Sequence, residues 1–169
     1  IRSAFITTGQ RCTCARRLIL VDNNQTDDLL KKLVEATKKI KVGAYNEDVF
    51  CGPVISKQAK DTLLEWQDEL IAQGGEPLVK MESVGDKGYF LSPGIIEMSK
   101  VTGVADREFF GPFLQVYLVR NLADAILLSN NTSYGLSAGM SSKNEFEFVH
   151  FYDFVRAGII NCNSPTTGA

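Results

Sequence analysis

Histidine is almost missing from this chain: His150 is the only one. A Cys/His zinc site or a Cys/His catalytic dyad would have to use it. It lies in an apolar, helix-like stretch over residues 146–155 and reads as a partly buried structural residue. The four cysteines, Cys12, Cys14, Cys51 and Cys162, give one C-x-C pair and two distant positions. That spacing matches neither a disulfide framework nor the C-x2-C pairs of most structural zinc sites, so no metal is expected. Charge of one sign is lacking too, with 18 basic residues against 20 acidic ones and a net charge of −2. With no basic excess to release counterions from a phosphate backbone, nucleic acid is not an expected partner. No apolar run approaches the roughly 18 residues of a membrane span, and the first residues lack the charged and apolar regions of a signal peptide. The expectation is therefore a cytoplasmic protein with no membrane partner. Neither G-x-G-x-x-G nor G-x-x-x-x-G-K-[ST] occurs, so the chain has no recognisable phosphate cradle of its own.

What is present is ordinary globular material. The chain has 169 residues, 44% hydrophobic and 22% charged, which fits one domain and argues against disorder, coiled coil and collagen. A chain of this size buries roughly 70% of the surface its unfolded form exposes, enough for a core without disulfide staples. Over residues 26–40, Leu29, Leu30, Leu33, Val34 and Ile40 recur at three- and four-residue steps, which predicts one apolar helical face. Thr26 is placed to cap that helix, Asp27 and Asp28 suit its positive end, Lys38 and Lys39 suit its negative end, and Gly43 can stop it. A second helix is predicted from Ser56 to Gly74-Gly75, and shorter ones over residues 122–128 and 144–154. Between them lie apolar or β-branched runs over residues 18–21, 78–80, 94–97, 114–119, 136–140 and 158–161. The run over 114–119 is nearly continuous in apolar character, the mark of a strand buried on both faces of a parallel sheet. Strands alternating with helices predict the α/β class, as a three-layer α/β/α domain with a mostly parallel sheet.

The densest chemical signal lies in residues 5–17, FITTGQRCTCARR. Cys12 follows a Gly-Gln turn and has Arg11, Arg16 and Arg17 around it. Positive charge and free backbone N–H groups favour thiolates, and an ordinary thiol is only a few per cent ionised at neutral pH. Cys12 is therefore a candidate covalent nucleophile, against the plainer possibility of a packed apolar side chain.

This segment resembles the active-site cysteine motif of the aldehyde dehydrogenase superfamily, with Phe5, Gly9, Gln10 and Cys12 at the matching positions. Further motifs follow in the family's order: Cys51-Gly52-Pro53-Val54-Ile55-Ser56, Gly88-Tyr89-Phe90-Leu91-Ser92-Pro93, Glu108-Phe109-Phe110-Gly111-Pro112, and Asn131-Thr132-Ser133-Tyr134-Gly135-Leu136. Residues 9–18, together with Asn161-Cys162-Asn163 and Pro165-Thr166-Thr167-Gly168-Ala169, are most similar to the branch that oxidises N-succinylglutamate 5-semialdehyde.

The resemblance implies NAD as cofactor, a small-molecule aldehyde as substrate, and a full-length parent that forms a homo-oligomer. It implies Cys12 as the thiol that attacks the aldehyde, Glu108 as the carboxylate on the nicotinamide ribose, and Phe110 near the nicotinamide ring. Arg11 and Arg16 become candidates for a substrate carboxylate, with Asn161 and Asn163 near the substrate pocket. Cys14 and Cys162 are spectators on this view. One position departs from the pattern: the residue before the glutamate is often acidic in the family, and here it is Arg107. The family's general-base glutamate, its asparagine oxyanion donor and its dinucleotide-binding domain all precede the cysteine. Residues 1–169 are thus expected to be a catalytic domain without those parts, inactive alone. Other semialdehyde or coenzyme A-acylating members, or a binding domain with structural cysteines, are the alternatives.

Overall fold

The computed structural model describes residues 1–167; Gly168 and Ala169, the end of the run from Pro165, lie outside the described residues. In chain order the elements are α1 (Arg2–Phe5), a 3-10 turn (Ile6–Gly9), β1 (Arg17–Val21), α2 (Thr26–Lys38), α3 (Lys57–Ala72), β2 (Glu76–Val79), β3 (Gly94–Glu97), β4 (Phe113–Val119), α4 (Leu122–Asn130), β5 (Ser137–Met140), α5 (Glu145–Phe154) and β6 (Ile159–Cys162). Four strands form one sheet in the order β1-β4-β3-β2, with β1 and β3 parallel to β4 and β2 antiparallel to β3. A separate parallel pair, β5-β6, stands apart in hydrogen bonding.

Alternation along the strands explains the layering. Ile95, Leu114 and Val116 point to one face and join Ala4 and Phe5, with Leu30 and Leu33 of α2 packed against them. Ile96 and Phe113 point to the other face and join Leu63 and Leu70 of α3 together with Met81 and Met98. Both faces of β3 and β4 are therefore covered by helices, the three-layer arrangement expected of a continuous apolar run. Glycine, proline and polar residues then mark the element ends. The Ser56 hydroxyl accepts from the Ala59 N–H at 3.1 Å and starts α3, and Asn121 accepts from the Asp124 N–H at 2.9 Å to start α4. At the far end of α4, Arg17 of β1 donates to the carbonyls of Leu128 and Ser129, each at 2.9 Å, satisfying acceptors that a helix end leaves open.

Two local expectations are corrected. Thr26 is not a cap: it is the first residue of α2, buried, and its hydroxyl accepts from the Asn23 N–H at 3.0 Å. His150 is exposed, because α5 turns it outward onto the Phe154 ring at 4.8 Å. The short α1 and the turn after it form from residues 2–9, a stretch with no helical periodicity.

Candidate active site

Cys12 sits in a turn over residues 11–14, just past the 3-10 turn (Ile6–Gly9) that follows α1, and that preceding turn is held in an uncommon conformation. Thr7, Thr8 and Gly9 are three successive residues with positive φ, 53°, 57° and 68°. Each non-glycine residue in that region costs about 1–2 kcal/mol, so surrounding contacts must hold the turn open. The Thr8 hydroxyl donates to the Gly52 carbonyl at 3.1 Å. Gln10 brackets the same loop, donating to the Pro53 carbonyl at 3.1 Å and accepting from the Ile55 N–H at 2.8 Å. These contacts give the Gln of the Gly-Gln turn and the Gly52-Pro53 motif a shared task. The Cys12 thiol is exposed, and its backbone N–H has no hydrogen-bond partner among the described residues. A thiol beside an unpaired N–H is the pair of groups an acyl-transfer nucleophile needs.

Gly9 also explains how the second motif comes near. A Cβ at Gly9 would lie 2.0 Å from the Gly111 carbonyl oxygen, so two backbones touch where both motifs have glycine. Glu108 thereby reaches the same cleft as Cys12, which Arg16 also lines. Glu108 is half-buried, with Oε1 3.5 Å from the Arg16 Nη2. Its other oxygen accepts no hydrogen bond among the described residues. Phe110 is 42% exposed, and the Arg16 guanidinium lies 5.1 Å from its ring centroid. An acceptor-only carboxylate with an uncommitted oxygen, next to an accessible aromatic face, suits a sugar diol and a flat heterocycle, so the residues present fit a nicotinamide nucleotide.

The loop that carries Glu108 is anchored on either side. Arg107 pairs with Glu69 and stands 5.2 Å over the Trp66 ring, so the departure from the family's acidic residue ties the loop to α3. Asp106 accepts from the Thr132 hydroxyl at 2.8 Å, and from the Ser133 N–H and hydroxyl, each at 2.7 Å. Desolvation pushes the Asp106 carboxyl upward, but those hydrogen bonds and the nearby Arg17 outweigh it and hold the group below the usual carboxylate range. Asp106 was missed from sequence. The available signal was the Asn131-Thr132-Ser133 motif, whose hydroxyls needed an acceptor.

The remaining candidates sit elsewhere or are already engaged. Arg11 is exposed, and its Nε donates to the Thr7 hydroxyl at 2.9 Å. Its two terminal nitrogens are uncommitted among the described residues. Arg16 is the opposite, largely covered and donating to the carbonyls of Gly9 at 2.6 Å and Arg11 at 3.0 Å. Asn161 belongs to β6 and donates to the Ser137 hydroxyl and Ala138 carbonyl of β5, while Asn163 spends both ends of its amide on the Ser142 backbone. Cys14 and Cys51 are buried and Cys162 is exposed; burial pushes the Cys51 thiol up to about 11. Among the described residues no helix is long and apolar enough to cross a membrane.

Comparison with known proteins gives concordant findings. The sequence profile of the aldehyde dehydrogenase family matches residues 1–169. Proteins named N-succinylglutamate 5-semialdehyde dehydrogenase from Hahella chejuensis (strain KCTC 2396) and Legionella pneumophila (strain Corby) are each 43% identical to this chain, over 99% and 100% of it. The chain spans 34% of the length of each. A solved 1-pyrroline-5-carboxylate dehydrogenase from Thermus with bound NAD superposes with a TM-score of 0.91 at 28% identity, covering 99% of this chain and 32% of that one.

Proposed function

The chain belongs to the aldehyde dehydrogenase family, and on that premise we propose that residues 1–169 are the catalytic portion that carries the nucleophile of an NAD-dependent aldehyde oxidation, with Cys12 as the catalytic thiol. The observation that carries this reading is the backbone contact of Gly9 with Gly111, which sets an exposed thiol and an anchored carboxylate on two loops of one cleft. The Cys12 thiolate attacks the aldehyde carbon and forms a carbon–sulfur bond, and the carbonyl oxygen takes up the negative charge. The unpaired Cys12 N–H would donate to that oxygen. Loss of hydride from the adduct leaves a thioester, which water cleaves to the carboxylic acid and the free thiol. The acceptor for the hydride is what a nicotinamide nucleotide supplies when bound. Glu108 would take its ribose hydroxyls on the uncommitted oxygen, and Phe110 would offer its ring to the nicotinamide.

We assign N-succinylglutamate 5-semialdehyde as the substrate. The names of the curated relatives support the assignment, and so does Arg11, whose free guanidinium fork suits a carboxylate. Arg16 is less suited to that task because its donors already meet backbone carbonyls and Glu108. The test uses the full-length protein with that aldehyde, with and without coenzyme A. The expected result is reduction of NAD with release of the free acid, and Cys12→Ser lowers the rate on the order of 10⁴-fold. A Cys12→Ser enzyme retaining a tenth or more of the parent rate would overturn the assignment.

A further inference from the structure

Arg16 makes contacts that no substrate-binding role requires. It is four residues past Cys12, its side chain is 13% exposed, and its terminal nitrogens reach back to the Gly9 and Arg11 carbonyls at 2.6 and 3.0 Å. Those carbonyls flank Gln10: Gly9 ends the strained turn, and Arg11 opens the next turn, closed by the Cys14 N–H, on which the thiol sits. The same guanidinium meets Glu108 at 3.5 Å and lies over Phe110 at 5.1 Å. Its Nε is buried without a partner, so no pair of parallel donors is left to receive a ligand's carboxylate. We propose that Arg16 is a positioning residue that locks the nucleophile turn and the Glu108 loop into one unit.

The planar fork is essential to this task. A lysine places one compact charge and cannot span two carbonyls and a carboxylate in one plane, whereas guanidinium can. Burial works against the cation, lowering its pKa, and the neighbouring Cys14 and Glu108 work the other way. A cation kept in such a place is retained for what it connects. Without it, the Gly9 carbonyl loses its donor, the Arg11 carbonyl keeps only the Cys14 N–H at 3.0 Å, and the link from this segment to Glu108 is gone. A displacement of about 1 Å between thiol and cofactor is worth about a hundredfold in rate.

The inference rests on the proposed aldehyde oxidation for its kinetic consequences but not for its structural ones, so the experiment has two arms. In the cofactor-free full-length protein, the iodoacetamide alkylation rate of Cys12 is followed by peptide mass spectrometry for the parent, Arg16→Gln, Glu108→Gln and the double variant. Arg16→Gln should slow alkylation about threefold or more, and Glu108→Gln should change the rate only while Arg16 is present, the signature of coupled residues. In the kinetic arm, Arg16→Gln should lower kcat about thirtyfold or more and leave the aldehyde KM within about threefold, and Arg16→Lys should fall between it and the parent. Should Arg16→Gln not fold, Arg16→Lys carries both arms. Additive effects of the two substitutions on alkylation overturn the proposal. So does an aldehyde KM raised more than about tenfold with kcat intact, because that pattern belongs to a substrate-binding arginine. A parent protein that does not oxidise the aldehyde removes the enzymatic reading and leaves the alkylation cycle to decide on Arg16.

Discussion

Replacing Gly9 by alanine tests the contact on which the site depends. Gly9 has φ +68°, and its added Cβ would lie 2.0 Å from the Gly111 carbonyl oxygen and 2.5 Å from the Gly111 carbonyl carbon. Two costs follow. A non-glycine residue in the left-handed region costs about 1–2 kcal/mol. Forcing a methyl group against backbone, which cannot rotate away as a side-chain tip can, adds about 1–3 kcal/mol more. Gly85 supplies the control, because it has φ +70° and nothing within 4 Å of the same Cβ. Gly85→Ala therefore bears the conformational cost alone, and the difference between the variants, about 1–3 kcal/mol, isolates the approach of the two loops.

Urea unfolding of the full-length protein gives both values, provided the two variants share one denaturant slope. The functional readout should separate them further: a turn pushed back by about 1 Å costs about a hundredfold in rate for Gly9→Ala, and Gly85→Ala keeps the parent rate. Gly111→Ala adds a useful contrast, since its Cβ meets the Leu63 Cδ1 at 2.3 Å, a side-chain end that can move. It should cost less than Gly9→Ala. Equal destabilisation by Gly9→Ala and Gly85→Ala would refute the claim that close backbone packing joins thiol and carboxylate.

Three further outcomes are expected. Gln67 is 1% exposed, donates to the Met81 carbonyl at 3.0 Å and accepts from its N–H at 2.7 Å. Gln67→Leu strands both buried groups and should cost about 2–4 kcal/mol by urea unfolding. The Asp106 carboxyl is held below the carboxylate range, so its stabilising bonds are fully present above the unfolded value of about 3.9 and are lost as pH falls through the lower folded value. The stability gap between parent and Asp106→Asn should accordingly close in that acid window; a gap unchanged with pH would refute the role. Iodoacetamide near neutral pH should modify the exposed Cys12 and Cys162 well before buried Cys14 and Cys51, as peptide mapping would detect.

Sequence and structure agree where the information is local. Leu30 and Leu33 gave α2 its packed face, with Leu29 left 49% exposed and Ile40 packing from beyond the helix end, and the unbroken apolar run made β4, because each pattern matches the period of one element. Where partners are distant, local reading had no purchase. Thr7 and Thr8 are β-branched and disfavour positive φ on their own, and contacts with residues more than forty positions away hold that turn. Pairing of β5 with β6 alone, rather than with the larger sheet, is likewise a long-range outcome. His150 shows the same limit: an apolar sequence around it suggested burial, but the helix leaves Phe146, Val149 and Tyr152 exposed as well.

Arg107 shows how a departure from a familiar motif can be informative. At the level of sequence, a positive residue stands beside Glu108 in place of a common acidic one. In the fold that charge is paired with Glu69 and lies over the Trp66 ring on α3. Asp106 on its other side is drawn to Thr132 and Ser133, so three consecutive side chains are pulled to three different parts of the chain. A loop restrained in this way leaves Glu108 little freedom to swing, and the ordering entropy of its carboxylate is met on folding rather than on ligand binding. Motif identity could nominate Glu108. What makes it usable is the divergence of its two neighbours, and that became visible only when Trp66, Glu69, Thr132 and Ser133 were brought to them by the fold.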